Sequence, residues 1–405
     1  MNFRYKAGSL ILAAGLLLTG CSGAASSAAA VSSVSSGDAV QYTKHTLALS
    51  APLTGNNTQY GIDMRDMAQM AVDEFNAAGG FGDGQKIQLA IYDDKGDANE
   101  GINVANLIAE NEDVFAVVAS FGSTVSMAQA PVFEQAQLPM LSPNTSHIDF
   151  PGMGDMMIPL NPTSANSYDV IAQFFYENIG HRLAILYQNT EQGTTASGVL
   201  KDNFEALGGT VTSYETYVPG ETSDFTALLA KARESEPDAL FINGDYMDAS
   251  KAVLQWKQMP GTENIQLLAS GNCLIQSFFD VVGDQAEGLV FSSTSRVYSD
   301  SVLASGGYSQ YTLDWVQRVK EQYPQDGCDN YTAAPYDCAV LALDAAKKAG
   351  TASPAALVQK VREFDHDIVS ADSLSFVQDE DGVYQLVKSV SSYIVENGQV
   401  VNYHK

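Results

Sequence analysis

Short apolar runs alternate with amphipathic segments along the chain from residue 46 onwards. The apolar runs predict strands, and the segments between them predict helices because their apolar residues recur at spacings of three and four. In the first part of the chain, strands are predicted at 46–51, 87–92, 114–120 and 139–142, and helices at 64–77, 100–111 and 125–136. Brief apolar strands separated by helices are typical of a parallel sheet that is covered on both faces.

The same alternation begins again after Pro162. Here the strands are predicted at 183–188, 210–217, 239–243, 266–270 and 289–293, and the helices at 196–207, 224–235 (with Ser223 as N-cap), 249–259 and 274–281. A single hydrophobic core rarely grows beyond ~250–300 residues, and this chain has 405. The pattern therefore predicts an α/β fold of two doubly wound parallel-sheet lobes, with a ligand cleft beyond the carboxyl ends of the strands.

The first 44 residues have a different composition. Arg4 and Lys6 precede an apolar stretch over 10–18, which is too short to span a bilayer of ~30 Å and is typical of a secretory signal peptide over residues 1–20. The small residues before Cys21 resemble the lipobox of bacterial lipoproteins, in which the cysteine thiol receives a diacylglycerol. An ordinary signal peptide with an incidental cysteine is the alternative.

Residues 22–36 consist almost entirely of Ser, Ala and Val. Such a segment has no large apolar group that seeds a core, so we expect residues 21–44 to be a lipidated cysteine followed by a flexible linker. A protein tethered in this way works outside the cytoplasm, bound to the cell membrane through acyl chains such as palmitate. Folded structure is expected to begin near His45.

The chain is strongly acidic, with 48 acidic and 21 basic residues and a formal net charge of -27. Nucleic-acid binding requires a basic face, and the sequence gives no sign of one. Attraction to anionic lipid head groups is excluded on the same ground, so any membrane contact rests on the lipid anchor. We interpret the acidity as a contribution to solubility.

The remaining cysteines are Cys273, Cys328 and Cys338. Cys328 and Cys338 are close enough in sequence to form a disulfide in an oxidising compartment, and the sequence leaves this pairing open. There is no CxxC motif, and none of the five histidines has metal-site spacing to a cysteine or to another histidine. We therefore expect neither a metal nor a cofactor.

Several short motifs suggest chemistry but have simpler explanations. The run Gly80-x-Gly82-x-Gly84 follows a predicted helix rather than a strand, so it indicates a turn and not a phosphate loop. Asp379-Glu380-Asp381-Gly382 lacks the full calcium-loop spacing and is better explained as a hairpin turn between 374–377 and 383–387. Asp93-Asp94 is interpreted as a solvated turn. No Gly-x-Ser-x-Gly elbow occurs, and the evidence for an enzyme is weak.

Small polar residues follow two successive strands of the first lobe. The strand at 114–120 ends in Phe121-Gly122-Ser123-Thr124, before a helix, and the strand at 139–142 ends in Pro143-Asn144-Thr145-Ser146. Unpaired backbone N–H groups at such ends, together with the helix dipole, favour an anion such as a carboxylate. Helix capping by Ser123 alone is the alternative.

Several ordered motifs resemble the type I periplasmic binding proteins, specifically the leucine/isoleucine/valine-binding family of ABC-transporter receptors. In the first lobe these motifs are Ser50-Ala51-Pro52-Leu53-Thr54-Gly55, Gln59-Tyr60-Gly61, Asn76-Ala77-Ala78-Gly79-Gly80, Tyr92-Asp93-Asp94, Phe121-Gly122-Ser123 and Ser142-Pro143-Asn144-Thr145-Ser146. Weaker matches continue, in the same order as in the family, at Ser223-Asp224-Phe225, Asn243-Gly244-Asp245-Tyr246 and Gly283-Asp284-x-Ala286-Glu287-Gly288. The resemblance covers most of the chain after the linker.

The resemblance assigns roles in the first lobe. It implies that Ser123 receives a ligand carboxylate through its hydroxyl and N–H, and that the Asn144 carbonyl and the Ser146 hydroxyl hold an α-ammonium. Thr145 lies in the same ligand loop. The resemblance also implies that Tyr60 packs over the ligand and that Phe121 walls the pocket.

In the second lobe the sequence departs from the family pattern. Gln192 stands where the family usually has an aromatic residue, and Gly271 stands where it often has the carboxylate that caps the ammonium. We expect Asp245 to substitute for that carboxylate, with Asn272 adjacent to the site. The family's first-lobe disulfide is also missing, because its two positions are Gly96 and Gly122. Tyr60, Gln192, Asp245 and Asn272 are together more polar than a pocket for leucine. They therefore indicate a polar amino acid or a small amide as ligand.

The function that the resemblance implies is the solute-binding receptor of an ABC importer: a monomer without catalytic activity that delivers an amino-acid-like ligand to the permease. The chain is expected to cross between the lobes near Pro162, Arg296 and Val383. Lobe 1 then comprises 45–162 and 296–383, and lobe 2 comprises 163–295 and 384–405. The alternatives are a sensor module of the same fold and a secreted hydrolase.

Overall fold

A computed structural model describes residues 43–294, 296–324, 329–350, 353–365, 367–371 and 374–404. The predicted signal peptide, Cys21 and the linker up to residue 42 lie outside the described residues, as does Cys328. In the part of the chain that the structure describes, no helix is long and apolar enough to cross a membrane.

The first 160 residues contribute a five-stranded, entirely parallel sheet. Its strands are β1 (Thr46–Ala51), β2 (Gln88–Asp93), β3 (Val114–Val118), β4 (Met140–Ser142) and β5 (Met157–Pro159), and the helices between them are α1 (Thr58–Ala77), α2 (Ala98–Ala109) and α3 (Ser123–Gln135). The strand order β2-β1-β3-β4-β5 is that of a doubly wound sheet. Strands β1, β3, β4 and β5 are buried throughout, which is why they are apolar without alternation.

A second series of strands and helices follows. It consists of α4 (Ser164–Asn178), β6 (Arg182–Gln188), α5 (Glu191–Ala206), β7 (Thr210–Tyr217), α6 (Thr226–Glu234), β8 (Ala239–Asn243), α7 (Tyr246–Gln258), β9 (Gln266–Ser270), α8 (Gln276–Val282) and β10 (Val290–Ser293). These five strands are parallel to one another in the order β10-β9-β8-β6-β7.

The last quarter of the chain completes both halves. It forms α9 (Asp300–Ala304), α10 (Gln310–Gln322), α11 (Asn330–Ala349), α12 (Pro354–Arg362), β11 (Ser375–Gln378), β12 (Tyr384–Val387), β13 (Ser391–Glu396) and β14 (Gln399–Asn402). Helix α11 packs on α1, beside the smaller sheet. Strand β13 joins β10 in the antiparallel sense and β14 follows it, so the larger sheet has seven strands.

The hairpin predicted around Asp379 is confirmed, because β11 and β12 pair in the antiparallel sense. The Asp379 carboxylate accepts hydrogen bonds from the backbone N–H groups of Asp381 (3.1 Å) and Val383 (2.9 Å). The acidic run therefore closes a turn, as the sequence indicated.

Four strands, β1, β7, β8 and β9, begin and end at the predicted residues. Five helices begin earlier than predicted, whereas α6 and α8 begin two residues later. The largest difference is in α1, which starts at Thr58 instead of Met64 because its first turns are polar and carry no apolar period. The predicted Ser223 cap is wrong. Helix α6 begins at Thr226, whose N–H donates to the Asp224 carboxylate at 2.9 Å.

The lobe boundaries remain a prediction, and the structure suggests one adjustment. Strand β12 still pairs with β11, whereas the chain joins the larger sheet only at Ser391. We therefore place the proposed third crossing at 388–390 rather than near Val383. Cys338 is a buried thiol on α11, and Cys328, with which it was considered to pair, lies outside the described residues, so the pairing stays open.

Candidate ligand-binding site

A cavity of about 470 Å³ lies between loops of the five-stranded sheet and loops of the seven-stranded sheet. Helix α11 contributes to its wall through Tyr331. Of the nine residues predicted for the ligand site, seven line this cavity: Phe121, Ser123, Asn144, Ser146, Gln192, Asp245 and Asn272. The structure thus brings together residues that are up to 151 positions apart, from Phe121 to Asn272.

The two exceptions are Tyr60 and Thr145, which are buried outside the cavity lining. The Tyr60 hydroxyl donates to the carbonyl of Asn272 (2.8 Å) and accepts from the N–H of Tyr246 (3.0 Å), and its ring stacks on Phe121 with centroids 4.1 Å apart. Tyr60 therefore supports the wall and links the two halves instead of packing over a ligand. The Thr145 hydroxyl accepts a hydrogen bond from the Ser142 hydroxyl at 2.5 Å, within the loop.

The first-lobe side of the cavity is built from two strand ends, as predicted. Helix α3 begins at Ser123, directly after Gly122, whose φ of 80° is readily adopted only by glycine. The Ser123 hydroxyl accepts a hydrogen bond from the N–H of Ser146 at 3.3 Å, so the loops after β3 and β4 meet at this point. The first N–H groups of α3 have no acceptor within the helix and give this side positive character.

A buried carboxylate lies beneath these loops. Asp94 is fully buried and accepts hydrogen bonds from the Ser50 hydroxyl (2.8 Å), the Gly96 N–H (3.0 Å) and the Ser120 hydroxyl. Burial raises the pKa of Asp94 despite these donors. The interpretation of Asp93-Asp94 as a solvated turn is therefore wrong for Asp94, which fixes the loops beside the site.

On the second-lobe side the central group is Asp245, which precedes α7. Its carboxylate accepts a hydrogen bond from the Asn272 side-chain amide at 2.9 Å, and its backbone N–H donates to the side-chain oxygen Oε1 of Gln188 at 3.1 Å. Burial raises the pKa of Asp245 to about 6. Among the described residues, no basic side chain forms an ion pair with it.

The two lysines at the cavity are already neutralised by other carboxylates. Lys95 lies 3.1 Å from Glu100, and Lys251 lies 2.9 Å from Asp248. Because both cations have partners, Asp245 is the carboxylate in this cavity that lacks a compensating charge. The site therefore combines an uncompensated negative charge on one side with helix N–H groups on the other.

Tyr331 is a cavity residue that the sequence did not indicate. It lies in the first turn of α11, its hydroxyl donates to the Asn272 side-chain oxygen at 3.0 Å, and its ring lies 4.6 Å from that of Tyr60. It thus orients the amide of Asn272 towards Asp245. No local signal marks it, because its role depends on the packing of a helix that is distant in sequence.

The described residues contain no group of three or more His, Cys, Asp and Glu side chains that could hold a metal ion. His147 lies 3.5 Å from Glu191, and its ring nitrogen Nδ1 accepts from the N–H of Asp149 at 3.2 Å. The Ser123 hydroxyl is bonded to the Ser146 N–H instead of to a histidine.

With this fold and cleft established, residues 44–384 match the family of periplasmic binding proteins, and the chain belongs to this family. Its members are extracytoplasmic solute-binding proteins rather than enzymes. A curated relative, the Leu/Ile/Val-binding protein homolog 1 of Brucella abortus (strain 2308), is 25% identical over 314 residues, which cover 77% of this chain and 80% of the relative.

Solved structures share the fold. LivJ of Streptococcus pneumoniae, a branched-chain amino acid transporter substrate-binding protein in complex with isoleucine, gives a TM-score of 0.76 at 22% identity and covers 88% of this chain and 97% of its own. A solute-binding protein from Rhodopseudomonas palustris in complex with 3,4-dihydroxybenzoic acid gives 0.77 at 20% identity, with coverages of 89% and 96%. The predicted type I fold and the resemblance to the Leu/Ile/Val-binding proteins are thereby confirmed.

Proposed function

We propose that this protein is the lipid-anchored receptor of an ABC importer, which binds an amino acid or a related zwitterion in the cavity and delivers it to the permease. The observation that carries the proposal is the charge distribution of the cavity. Asp245 has no cationic partner among the described residues, and the N-terminus of α3 lies on the first-lobe side. Such a site matches a ligand that carries one charge of each sign.

The two ends of the ligand have separate partners in this proposal. The carboxylate binds the hydroxyl and N–H of Ser123, while the ammonium binds Asp245 with help from the Asn144 carbonyl and the Ser146 hydroxyl. Phe121, Gln192 and Asn272 complete the wall. A zwitterion leaves water only if both charges are met, since an unpaired buried charge costs several kcal/mol.

Closure of the cleft follows from the same contacts. Only a closed form offers both faces to the ligand, so the ligand shifts the open–closed equilibrium by its differential affinity. The bonds from Tyr60 to Asn272 and Tyr246 already join the two sides in the described conformation. A micromolar complex corresponds to about 8 kcal/mol of binding free energy.

The ligands of the two structural neighbours help to define the screen. Isoleucine and 3,4-dihydroxybenzoic acid both carry a carboxylate, but only isoleucine carries an ammonium. The carboxylate subsite at Ser123 suits both amino acids and aromatic carboxylates, whereas Asp245 favours amino acids because they carry an ammonium. A thermal-shift screen against amino acids and aromatic carboxylates tests this choice, because a true ligand raises the melting temperature by mass action.

Ser123→Ala is expected to weaken binding of the screened ligand by about 1–3 kcal/mol, because it removes a donor to a buried charge. Isothermal titration calorimetry measures the change. Ser309→Ala is a matched control: Ser309 caps α10 through the Thr312 N–H (3.2 Å) and does not line the cavity. Equal affinities for Ser123→Ala and the wild type would rule out this carboxylate subsite.

Cys21→Ala is expected to move the protein from the membrane fraction to the soluble fraction, because it removes the thiol that accepts the lipid. Fractionation of cells followed by immunoblotting measures the distribution. Ser22→Ala retains the thiol and should leave the protein on the membrane. Membrane retention of the Cys21→Ala variant would contradict the lipid anchor without affecting the ligand site.

A further inference from the structure

Three buried polar atoms of two residues that line the cavity have no hydrogen-bond partner among the described residues. They are Oδ1 and Nδ2 of Asn144 and Oε1 of Gln192. Asn144 follows β4, between Ser142 and Ser146, and Gln192 lies in the first turn of α5. The two residues therefore line the same cavity, one from the smaller sheet and one from the larger sheet.

The partners of the neighbouring polar groups are already assigned. The Asn272 amide donates to Asp245 and accepts from Tyr331, and the Gln192 side chain interacts with the Tyr168 hydroxyl. These contacts leave Oε1 of Gln192 available while holding the rest of its side chain. The Asn144 amide has no such contact, although both of its polar atoms are buried.

Unsatisfied buried polar groups are rare in native proteins, and a bound ligand is one way to satisfy them. An asparagine amide offers two donors and an acceptor, and Oε1 of Gln192 is a further acceptor. The complementary group must supply one acceptor and at least two N–H donors. A carboxamide or a ureido group does so, whereas a carboxylate has no donor and an aliphatic group has neither.

We propose that the cavity selects an amino acid whose side chain ends in a neutral carboxamide or ureido group, and that Asn144 and Gln192 recognise this group. The inference rests on the proposed function, since it assigns the α-carboxylate and α-ammonium to Ser123 and Asp245. Asn144 thus acts through its side-chain amide, in addition to the carbonyl role that the family resemblance implies.

Calorimetric titration of the wild-type protein tests the inference with L-glutamine, L-asparagine and L-citrulline against L-methionine, L-leucine and L-glutamate. At least one of the first three should bind about tenfold to hundredfold more tightly than its apolar or acidic counterpart of similar size. Glutamine compared with methionine and glutamate is the sharpest set, because the three side chains have similar lengths.

Asn144→Leu should remove most of this preference: affinity for the carboxamide or ureido ligand should fall about tenfold to hundredfold, while affinity for methionine should not fall. Gln192→Met should act in the same direction and keeps the test valid if Asn144→Leu does not fold. Asn106→Ala is the control, because Asn106 is an exposed asparagine on α2 whose amide donates to the Ile102 carbonyl at 2.8 Å.

The possible failures are distinguishable. If amino acids bind but methionine or leucine binds as tightly as glutamine, asparagine and citrulline, the inference is overturned and the proposed function stands. The same holds if Asn144→Leu weakens every ligand equally. If no amino acid binds the wild type, the proposed function itself fails, and the inference fails with it.

Discussion

Asp245→Asn should weaken binding of an amino acid by about 2–5 kcal/mol, which is the usual cost of removing one partner from a buried, hydrogen-bonded charge pair. The substitution preserves the shape of the side chain and can still contact Asn272, so the loss reports the charge itself. The effect should be large because Asp245 has no cationic partner within the described residues, and the ligand ammonium is its proposed counter-ion. Isothermal titration calorimetry measures the change.

Ligand analogues give this prediction a matched comparison. A carboxylate without an ammonium, such as an aromatic acid, should lose little affinity in Asp245→Asn. Asp314→Asn is the control variant, because Asp314 is an exposed carboxylate on α10 that does not line the cavity, and it should leave both affinities unchanged. Equal losses for zwitterionic and purely anionic ligands would remove Asp245 from the ammonium subsite.

The pH dependence is a second readout of the same substitution. Burial raises the pKa of Asp245 to about 6 in the free protein, and only the ionised carboxylate binds an ammonium. Affinity should therefore be nearly constant from about pH 7 to about pH 8, where the ligand ammonium stays protonated, and should fall as the pH drops through 6, approaching about tenfold per pH unit. In Asp245→Asn this dependence should disappear.

The sequence predicts the part of the site that is set by strand ends. Parallel strands expose their carboxyl ends on one edge of a sheet, so small polar residues after β3 and β4 were expected to meet. The 3.3 Å contact between Ser123 and Ser146 agrees with that expectation. Buried strands such as β8 and β9 were also predictable, because continuous apolar runs leave little choice of boundary.

The sequence does not predict what depends on side-chain direction in the assembled fold. The resemblance placed Tyr60 over the ligand, but its position on α1 directs the ring behind Phe121 and its hydroxyl to the second lobe. Tyr331 reaches the cavity only because α11 packs beside the smaller sheet. The sequence predicts that Asp94 is a surface residue, but in the fold the loop that contains Ser120 covers it.

The buried carboxylate of Asp337 is expected to contribute strongly to the free energy of unfolding. It lies inside α11 and accepts hydrogen bonds from the N–H groups of Val369 (3.0 Å) and Ser370 (2.8 Å). Lys388, which is buried in the proposed third crossing, interacts electrostatically with it. Burial lowers the pKa of Lys388 to about 8, and the negative charge of Asp337 opposes that decrease.

Asp337→Ala is expected to lower the free energy of unfolding by about 3–5 kcal/mol, because it leaves two buried N–H groups without their acceptor and a buried ammonium group without the negative charge that stabilises it. Urea denaturation at pH 7 measures the loss. The control is Asp314→Ala, which removes an exposed carboxylate on α10 and should change stability by less than about 0.5 kcal/mol.

The pH dependence of stability is a second readout. Since the folded pKa of Lys388 lies below its unfolded value, its contribution to stability rises as the pH increases from about 8 towards ~10.4. The wild type and Asp337→Ala share that rise, so it does not change the deficit. Because Asp337 opposes the decrease in the pKa of Lys388, Asp337→Ala should lower that pKa further, and the deficit should shrink as the pH rises through the range just below about 8. Adding Lys388→Met should recover part of the deficit at pH 7. A loss below about 1 kcal/mol, or no recovery in the double variant, would show that the charge on Lys388 does not depend on Asp337.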